Sequence, residues 1–242
     1  MFMKESLNIQ IFEVLFTKGG EFFEKAQFLR SKVFLKREQK DEDRFDKFCE
    51  HVVVIDRNTK QVVGTYRLLL GSVAKNSLGF YSETEFDLKN IKKNCSAELL
   101  ELGRACVDES YRKYHIINLM WKAIISYIEQ NRVRYVFGCT SIEEPTPQKV
   151  GKIFRFLKDK FFSPSRFRVY PLKDRRFPYL KDPGAYGKRE VLQMLPSLVK
   201  GYLNMGAFAC GEPAWDKVFG TADFFMMLDT KRMNTSFVRK FL

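Results

Sequence analysis

A single mixed α/β domain is the fold class this sequence predicts, and three observations carry it. Strand-like and helix-like apolar spacings follow one another in the order β-α-β-β-β-α-β-α-β along the 242 residues. No repeat, low-complexity tract or linker divides them, so one domain is expected over 1–242, with 229–242 as a peripheral tail. In the middle, the apolar run from Leu99 to Val107 carries Glu101, Gly103 and Arg104. Two opposite charges in such a run cost several kcal/mol, on the order of the burial penalty for ions, unless they are paired or used. A glycine there marks a bulge or a close approach, so a central mixed sheet with a bulged central strand is expected.

The elements follow in order. Residues 8 to 16 alternate as a first strand that Gly19-Gly20 ends. Phe22, Ala26, Leu29 and Val33 recur at helical spacing, with Arg30 and Phe34 near the helix end. A charged segment from Lys36 to Asp46 precedes a buried strand, Val52 to Ile55. Asp56 to Lys60 has turn chemistry, and Gln61 to Leu70 returns as the second arm of a hairpin. Glu83 to Lys93 is expected as a short helix before the central strand. Beyond Ser110, Ile116, Met120, Ile124 and Ile128 line a helical stripe flanked by Ile117, Trp121 and Ile125. Tyr135 to Cys139 is expected as a buried strand, Val150 to Leu157 as a helix and Arg166 to Leu172 as a strand. Pro178, Pro183, Gly184 and Gly187 make Lys173 to Lys188 a loop; Val191 to Leu203 is helical around Pro196, or begins at it, and Phe224 to Leu228 is the last strand.

Composition excludes several classes. The five cysteines, Cys49, Cys95, Cys106, Cys139 and Cys210, form no Cys-x-x-Cys, which fits reduced thiols in the cytoplasm and not a disulfide framework or zinc site. With only His51 and His115, a histidine-rich metal centre is excluded, and no metal is expected. The N-terminus shows no signal-peptide pattern, and the apolar face from Ile116 to Ile128 is shorter than the roughly 20 residues a membrane span needs. A net charge of +13 favours an acidic partner: an acidic protein, an anionic membrane or nucleic acid.

Four groups of residues can carry chemistry. Glu101 and Arg104 would turn toward one site if an extra residue at Gly103 broke the strand alternation, leaving a backbone N–H to polarise a carbonyl. A surface salt bridge on an edge strand explains the same pair. Asp43 and Asp46, just ahead of Cys49 and His51, share a face if their stretch is helical or tightly turned, and paired carboxylates suit a cationic amine; a solvated charged loop is the plainer alternative. Arg30 beside Phe34, and Arg67 inside the run Val62 to Leu70, call for carboxylate partners, with Asp43, Asp46 and Glu101 available. Basic residues interleaved with aromatics from Phe154 to Pro183, and the tail Phe237 to Leu242, fit anionic lipid, single-stranded nucleic acid, an acidic carrier protein, or simply a charged face over a phenylalanine core.

Taken in order, Asp43-x-Phe45-Asp46 with Cys49-x-His51, Val63-Gly64-Thr65-Tyr66-Arg67-Leu68, Gly79-Phe80-Tyr81-Ser82, Glu85-Phe86-Asp87-Leu88, Glu101-Leu102-Gly103-Arg104 and Phe137-Gly138-Cys139-Thr140-Ser141 resemble the bacterial L-ornithine N-alpha-acyltransferases of ornithine-lipid synthesis. Leu195-Pro196, Lys200-Gly201-Tyr202-Leu203, Gly206-Ala207 and Pro213-Ala214-x-Asp216 extend the resemblance, which runs from about Arg30 to Leu228. It implies a single GNAT-like domain with a splayed central strand, similar to acyl-homoserine-lactone synthases. It implies transfer of a 3-hydroxyacyl group from acyl carrier protein to the α-amine of L-ornithine, with no bound cofactor, since 4'-phosphopantetheine arrives on the carrier. By the same resemblance Glu101, Arg104 and Asp46 are catalytic; Arg30, Phe34, Asp43, Arg67, Gly103, Ala105, Cys106, Cys139, Thr140 and Ser141 bind substrate. Tyr111, Arg112, Lys113, Arg155, Arg166, Arg168, Arg175 and Arg176 form the surface for carrier protein or membrane. The signature tryptophan of the lactone synthases is missing, as is the glycine-rich pyrophosphate loop, since Asp108 to Tyr114 contains no glycine. The expected setting is the cytoplasm, peripheral at the inner membrane face, with no nucleic acid. Two alternatives stay open: an N-acyl amino acid or lactone synthase using another amine, and a non-catalytic basic protein binding membrane or nucleic acid.

Overall fold

Phe12–Thr17 (β1), Glu50–Asp56 (β2) and Val62–Leu70 (β3) form an antiparallel set, Phe12 facing Asp56 and Val52 facing Tyr66. The computed structural model describes residues 11–178, 184–234 and 236. The first part of the expected opening strand, residues 8 to 10, and the tail from Phe237 lie outside them. The hairpin turn between β2 and β3 forms as its residues require: Asp56 accepts the N–H groups of Asn58 and Thr59, and Lys60 takes φ 58°.

The described residues divide into two units, one comprising 11–78 and 102–132, the other 79–101, 133–178, 184–234 and 236. In the first, both faces of β2 are covered, which is why it reads as an unbroken apolar run. Helix α1 (Glu21–Phe34) packs Ala26 and Leu29 against Val53, Ile55, Val62 and Cys106. The alternate residues of the hairpin meet α4 (Ile116–Gln130): Tyr66 lies edge-on to Trp121, and a Cβ on Gly64 would stand 2.5 Å from the Ile116 side chain. Each fully buried aliphatic or aromatic side chain here contributes roughly 1.5–3 kcal/mol. A short helix, α2 (Gly71–Lys75), follows β3 directly.

The second unit is built on Tyr135–Ile142 (β6), which pairs antiparallel along Thr221–Asp229 (β10) from Ile142↔Ala222 to Tyr135↔Asp229. Phe208–Ala209 (β8) and Ala214–Asp216 (β9) also pair with β10, and Phe86–Asp87 (β4) pairs with Tyr170–Pro171 (β7). Phe137, Phe225, Phe80 and Phe86 stack face and edge on one side of this sheet. Helix α5 (Pro147–Lys160) lays Phe154 against Phe224 on the other. The strand β5 (Leu99–Val107) belongs to both units and pairs parallel with β6 from Leu99↔Tyr135 to Glu101↔Phe137. The mixed α/β class is what forms.

Some elements differ from the expected ones. Glu83 to Lys93 is not one helix: β4 interrupts it, and Asp87 then caps a short helix α3 (Lys89–Asn94) through the Lys89 N–H. Pro196 splits Val191 to Leu203 into α6 (Lys188–Met194) and α7 (Ser197–Met205), because the residue before proline is driven extended; Leu195 sits at φ −74°, ψ 134°. Arg166 to Leu172 contributes only the two residues of β7. A 3-10 turn, Glu109–Tyr114, with His115 at φ 56°, separates Asp108 from α4. Within β5 the positive φ falls on Arg104 (51°), one residue after Gly103, where the bulge was expected.

Candidate active site

In the first unit, α1, the charged loop after it, β3 and β5 supply one ionic network. Arg30 is wholly buried; its Nε donates to Asp41 at 2.8 Å and its two terminal nitrogens reach Asp46 at 2.9 and 3.1 Å. Arg67 Nη1 donates to Asp43 at 2.6 Å and to Asp46 at 3.0 Å. Arg104 donates from Nε to Asp41 at 3.1 Å and from Nη2 to Asp43 at 3.2 Å. Gln27 and the Asp43 N–H add bonds to Asp46. Three guanidinium groups thus meet three carboxylates, so burial is compensated and the forks fix one another's orientation.

The electrostatics follow from that balance. Burial works against ionised Asp43 and Asp46, yet the neighbouring arginines outweigh it and hold both carboxyls below the ordinary range. Burial likewise opposes charged Arg67, and Asp43 and Asp46 more than offset it. Burial pushes His51 down to about 4, so it stays neutral, its Nε2 4.0 Å from Asp46. Of the residues singled out from the sequence, Arg30, Asp43, Asp46, Arg67 and Arg104 come together here, with Gly103 beside the Arg67 guanidinium. Asp41 was missed. Phe34 and Cys106 instead pack into the apolar cluster beneath α1, where burial pushes the Cys106 thiol up to about 12, and Ala105 is half-buried.

In the second unit, Glu101 is buried and gripped by the 3-10 turn Tyr81–Thr84. Its Oε2 accepts the Tyr81 N–H at 2.7 Å; its Oε1 accepts the Ser82 N–H at 2.7 Å and the Ser82 hydroxyl. Cys139 Sγ donates to Ser82 Oγ at 3.4 Å. Burial holds the Cys139 thiol well above its usual range. Thr140 points to the opposite sheet face, bonding the Phe224 carbonyl at 3.2 Å, and Ser141 is exposed.

A second acidic group lies in the same unit. One carboxylate oxygen from each of Glu85, Asp216 and Asp223 lies within 4.8 Å of the others, and all three residues are buried. Burial, then the charges of Asp223 and Asp216, push the Glu85 carboxyl up to about 8. This group was not singled out from the sequence; the signal available was Asp223 inside the apolar run Ala222 to Leu228, the same anomaly that marked Glu101.

The surface candidates are dispersed in their commitments. Tyr111 donates to Asp56 at 2.9 Å, Arg112 lies 3.9 Å from Glu109, and Lys113 covers the Tyr114 ring. Arg155 pairs with Asp159, Arg175 lies 3.8 Å from Asp174, Arg166 covers Phe167 and Arg168 covers Phe162. Arg166 and Arg176 are exposed. Among the described residues no helix is long and apolar enough to cross a membrane.

Comparison with known proteins gives the chain its family. Residues 21–122 match the acetyltransferase (GNAT) domain family. The chain is 32% identical to the L-ornithine N(alpha)-acyltransferase of Brucella abortus, over 93% of this chain and 87% of that protein. It is 29% identical to the enzyme of the same name from Rhizobium meliloti, over 89% and 79%. Among solved structures, FeeM, an N-acyl amino acid synthase from uncultured soil microbes, aligns with a TM-score of 0.55 at 7% identity over 91% of both chains. The CoA-dependent acyl-homoserine lactone synthase BjaI aligns with a TM-score of 0.55 at 11% identity, over 96% and 87%; these two likenesses concern the fold. With that identity sustained along nearly its whole length, the chain belongs to the L-ornithine N(alpha)-acyltransferase family and is an acyltransferase of GNAT fold.

Proposed function

We propose that the chain transfers a 3-hydroxy fatty acyl group from the thioester of acyl carrier protein to the α-amine of L-ornithine, giving an N-acyl amino acid lipid. The observation that carries this reading is the 93% of the chain over which it resembles the Brucella enzyme. The free amine attacks the thioester carbonyl, a C–N bond forms, the C–S bond breaks and the carrier's thiolate leaves. Glu101 takes the amine proton, directly or through water, on the strand that also supplies Arg104. In the first unit Arg67, paired with Asp43 and Asp46, and Arg104, paired with Asp41 and Asp43, orient those acids. The left-handed backbone at Arg104 takes the chain out of regular ladder geometry, where an N–H can stabilise the developing oxyanion.

Carrier protein is favoured over coenzyme A as donor by the segment after β5. A pyrophosphate needs free N–H groups and close backbone approach. Here Asp108 already accepts the Ser110 N–H at 2.9 Å and pairs with Lys32 at 2.7 Å, and Glu109 to Tyr114 contains no glycine. The +13 charge suits an acidic carrier and an anionic inner-membrane surface, where an amphiphilic product would be released.

The test is in vitro acylation with 3-hydroxyacyl carrier protein or the matching coenzyme A thioester, offering ornithine, lysine and neutral amino acids, with products read by mass spectrometry. Acyl-ornithine formed mainly from the carrier supports the reading. Faster transfer from coenzyme A, or to another amine, overturns the respective part.

A further inference from the structure

The six-membered ionic network leaves little for a second substrate cation to gain, because its three acids already face three guanidinium groups. Ornithine carries a side-chain ammonium, and a family that acylates it must recognise that charge or tolerate it. Resting on the acyltransferase reading above, we propose that Glu85, Asp216 and Asp223 form the seat for the side-chain ammonium of the acceptor amino acid.

The chemistry of the group asks for a cation. Neither oxygen of Glu85 has a hydrogen-bond donor in good geometry, although the residue is only 2% exposed. Asp216 uses Oδ1 for the N–H groups of Val218 and Phe219, and Asp223 uses Oδ1 for the Thr221 hydroxyl. An ammonium has three N–H donors and can give one to each carboxylate; tetrahedral directions at ordinary bond lengths separate the three acceptors by roughly 4–5 Å, which agrees with their mutual 4.8 Å limit. A buried acid that carries its proton at neutral pH, as burial and the two aspartates make Glu85 do with only the Cys139 thiol and the Tyr81 hydroxyl beside it, is the state expected of such a seat before its cation arrives.

Its position agrees with Glu101 as proton acceptor for the α-amine. Side chains alternate along a strand, so Phe137, Cys139 and Ser141 of β6 share a face with Met227, Phe225 and Asp223, their respective cross-strand partners in β10. Glu101 pairs with Phe137 on that face. Cys139 touches Ser82, which touches Glu101, and the thiol also lies beside Glu85. The two carboxylate sites are therefore a few van der Waals contacts apart, a span suited to the two amines of one short diamino acid.

The experiment compares ornithine with norvaline, identical but for the side-chain amine. Wild-type protein should favour ornithine in kcat/KM by roughly 100-fold or more. Glu85→Gln and Asp223→Asn should each shrink that ratio by about tenfold or more, through a raised KM for ornithine. Equal losses on both acceptors, or an unchanged ratio, overturn the seat. Calorimetry without donor separates this proposal from its parent: if wild type acylates neither amino acid the parent reading fails, while ornithine binding abolished by Glu85→Gln still supports the seat and equal or absent binding overturns it. Saturable Mg2+ or Ca2+ binding that Glu85→Gln removes would overturn the ammonium assignment in favour of a divalent cation.

Discussion

Ser82 directs two donors at one oxygen of Glu101, its backbone N–H at 2.7 Å and its hydroxyl alongside. With Tyr81 on the other oxygen, the carboxylate is held in one orientation before any substrate arrives. Such fixing is what a proton acceptor needs, because geometry decides before basicity does.

Glu101→Gln should lower kcat by about tenfold or more, with circular dichroism unaltered. Ser82→Ala keeps both backbone bonds and should lose much less. Unchanged turnover in Glu101→Gln removes its role as base.

Arg30→Met should destabilise the protein by about 3–5 kcal/mol, since it removes a wholly buried cation from between two buried acids and leaves only Arg104 and Arg67 to balance them. Asp41 and Asp46 are those acids, and Arg30 itself has no exposed surface. Urea unfolding of the purified variant measures it; a loss under about 1 kcal/mol, the range of exposed pairs, would contradict the buried network.

Glu85 sets a pH dependence. Its folded pKa is raised from 4.5 to about 8 by burial and by Asp223 and Asp216. Between those values the folded chain keeps a proton that the unfolded chain releases, so this group's contribution to stability falls as pH rises. Glu85→Gln cannot ionise, so its Tm should gain on wild type from about pH 5 to about pH 8, by roughly 2–4 °C per kcal/mol. A constant difference across that range would show an ordinary carboxyl.

Gly64→Ala and Gly211→Ala should both destabilise, the second more. A Cβ at 64 meets the Ile116 side chain at 2.5 Å, which α4 can ease by a small shift. A Cβ at 211 meets the Val169 carbonyl oxygen at 2.2 Å, where backbone must move. Costs of about 1–3 kcal/mol are usual for overpacking, and thermal melting ranks the two.

What could be read from the sequence was charge in the wrong company. Arg30, Arg67 and Glu101 sit inside apolar spacing, and each finds buried partners. Asp41 could not be told apart from its neighbours, because a segment charged from Lys36 to Asp46 reads the same whether its acids are solvated or locked to arginines. Glu85 lies far along the chain from Asp216 and Asp223, and it takes the pairing of β9 and β10, with Asp216 opposite Thr221, to set those two aspartates on a diagonal. The main strands and helices followed from periodicity. Two-residue strands such as β7 and β8 carry no period to detect, and the split at Pro196 was legible only as a choice between a kink and a start.

Position 104 has two separable duties, a backbone turned to φ 51° and a guanidinium shared between Asp41 and Asp43. Left-handed geometry costs a side chain roughly 1–2 kcal/mol that glycine escapes. A saturation library at this codon should accordingly sort along two axes: glycine and asparagine would preserve the contour without the cation, lysine the cation without the fork, and bulky branched residues neither. Selection for folding and selection for lipid product would then enrich different survivors at the same site.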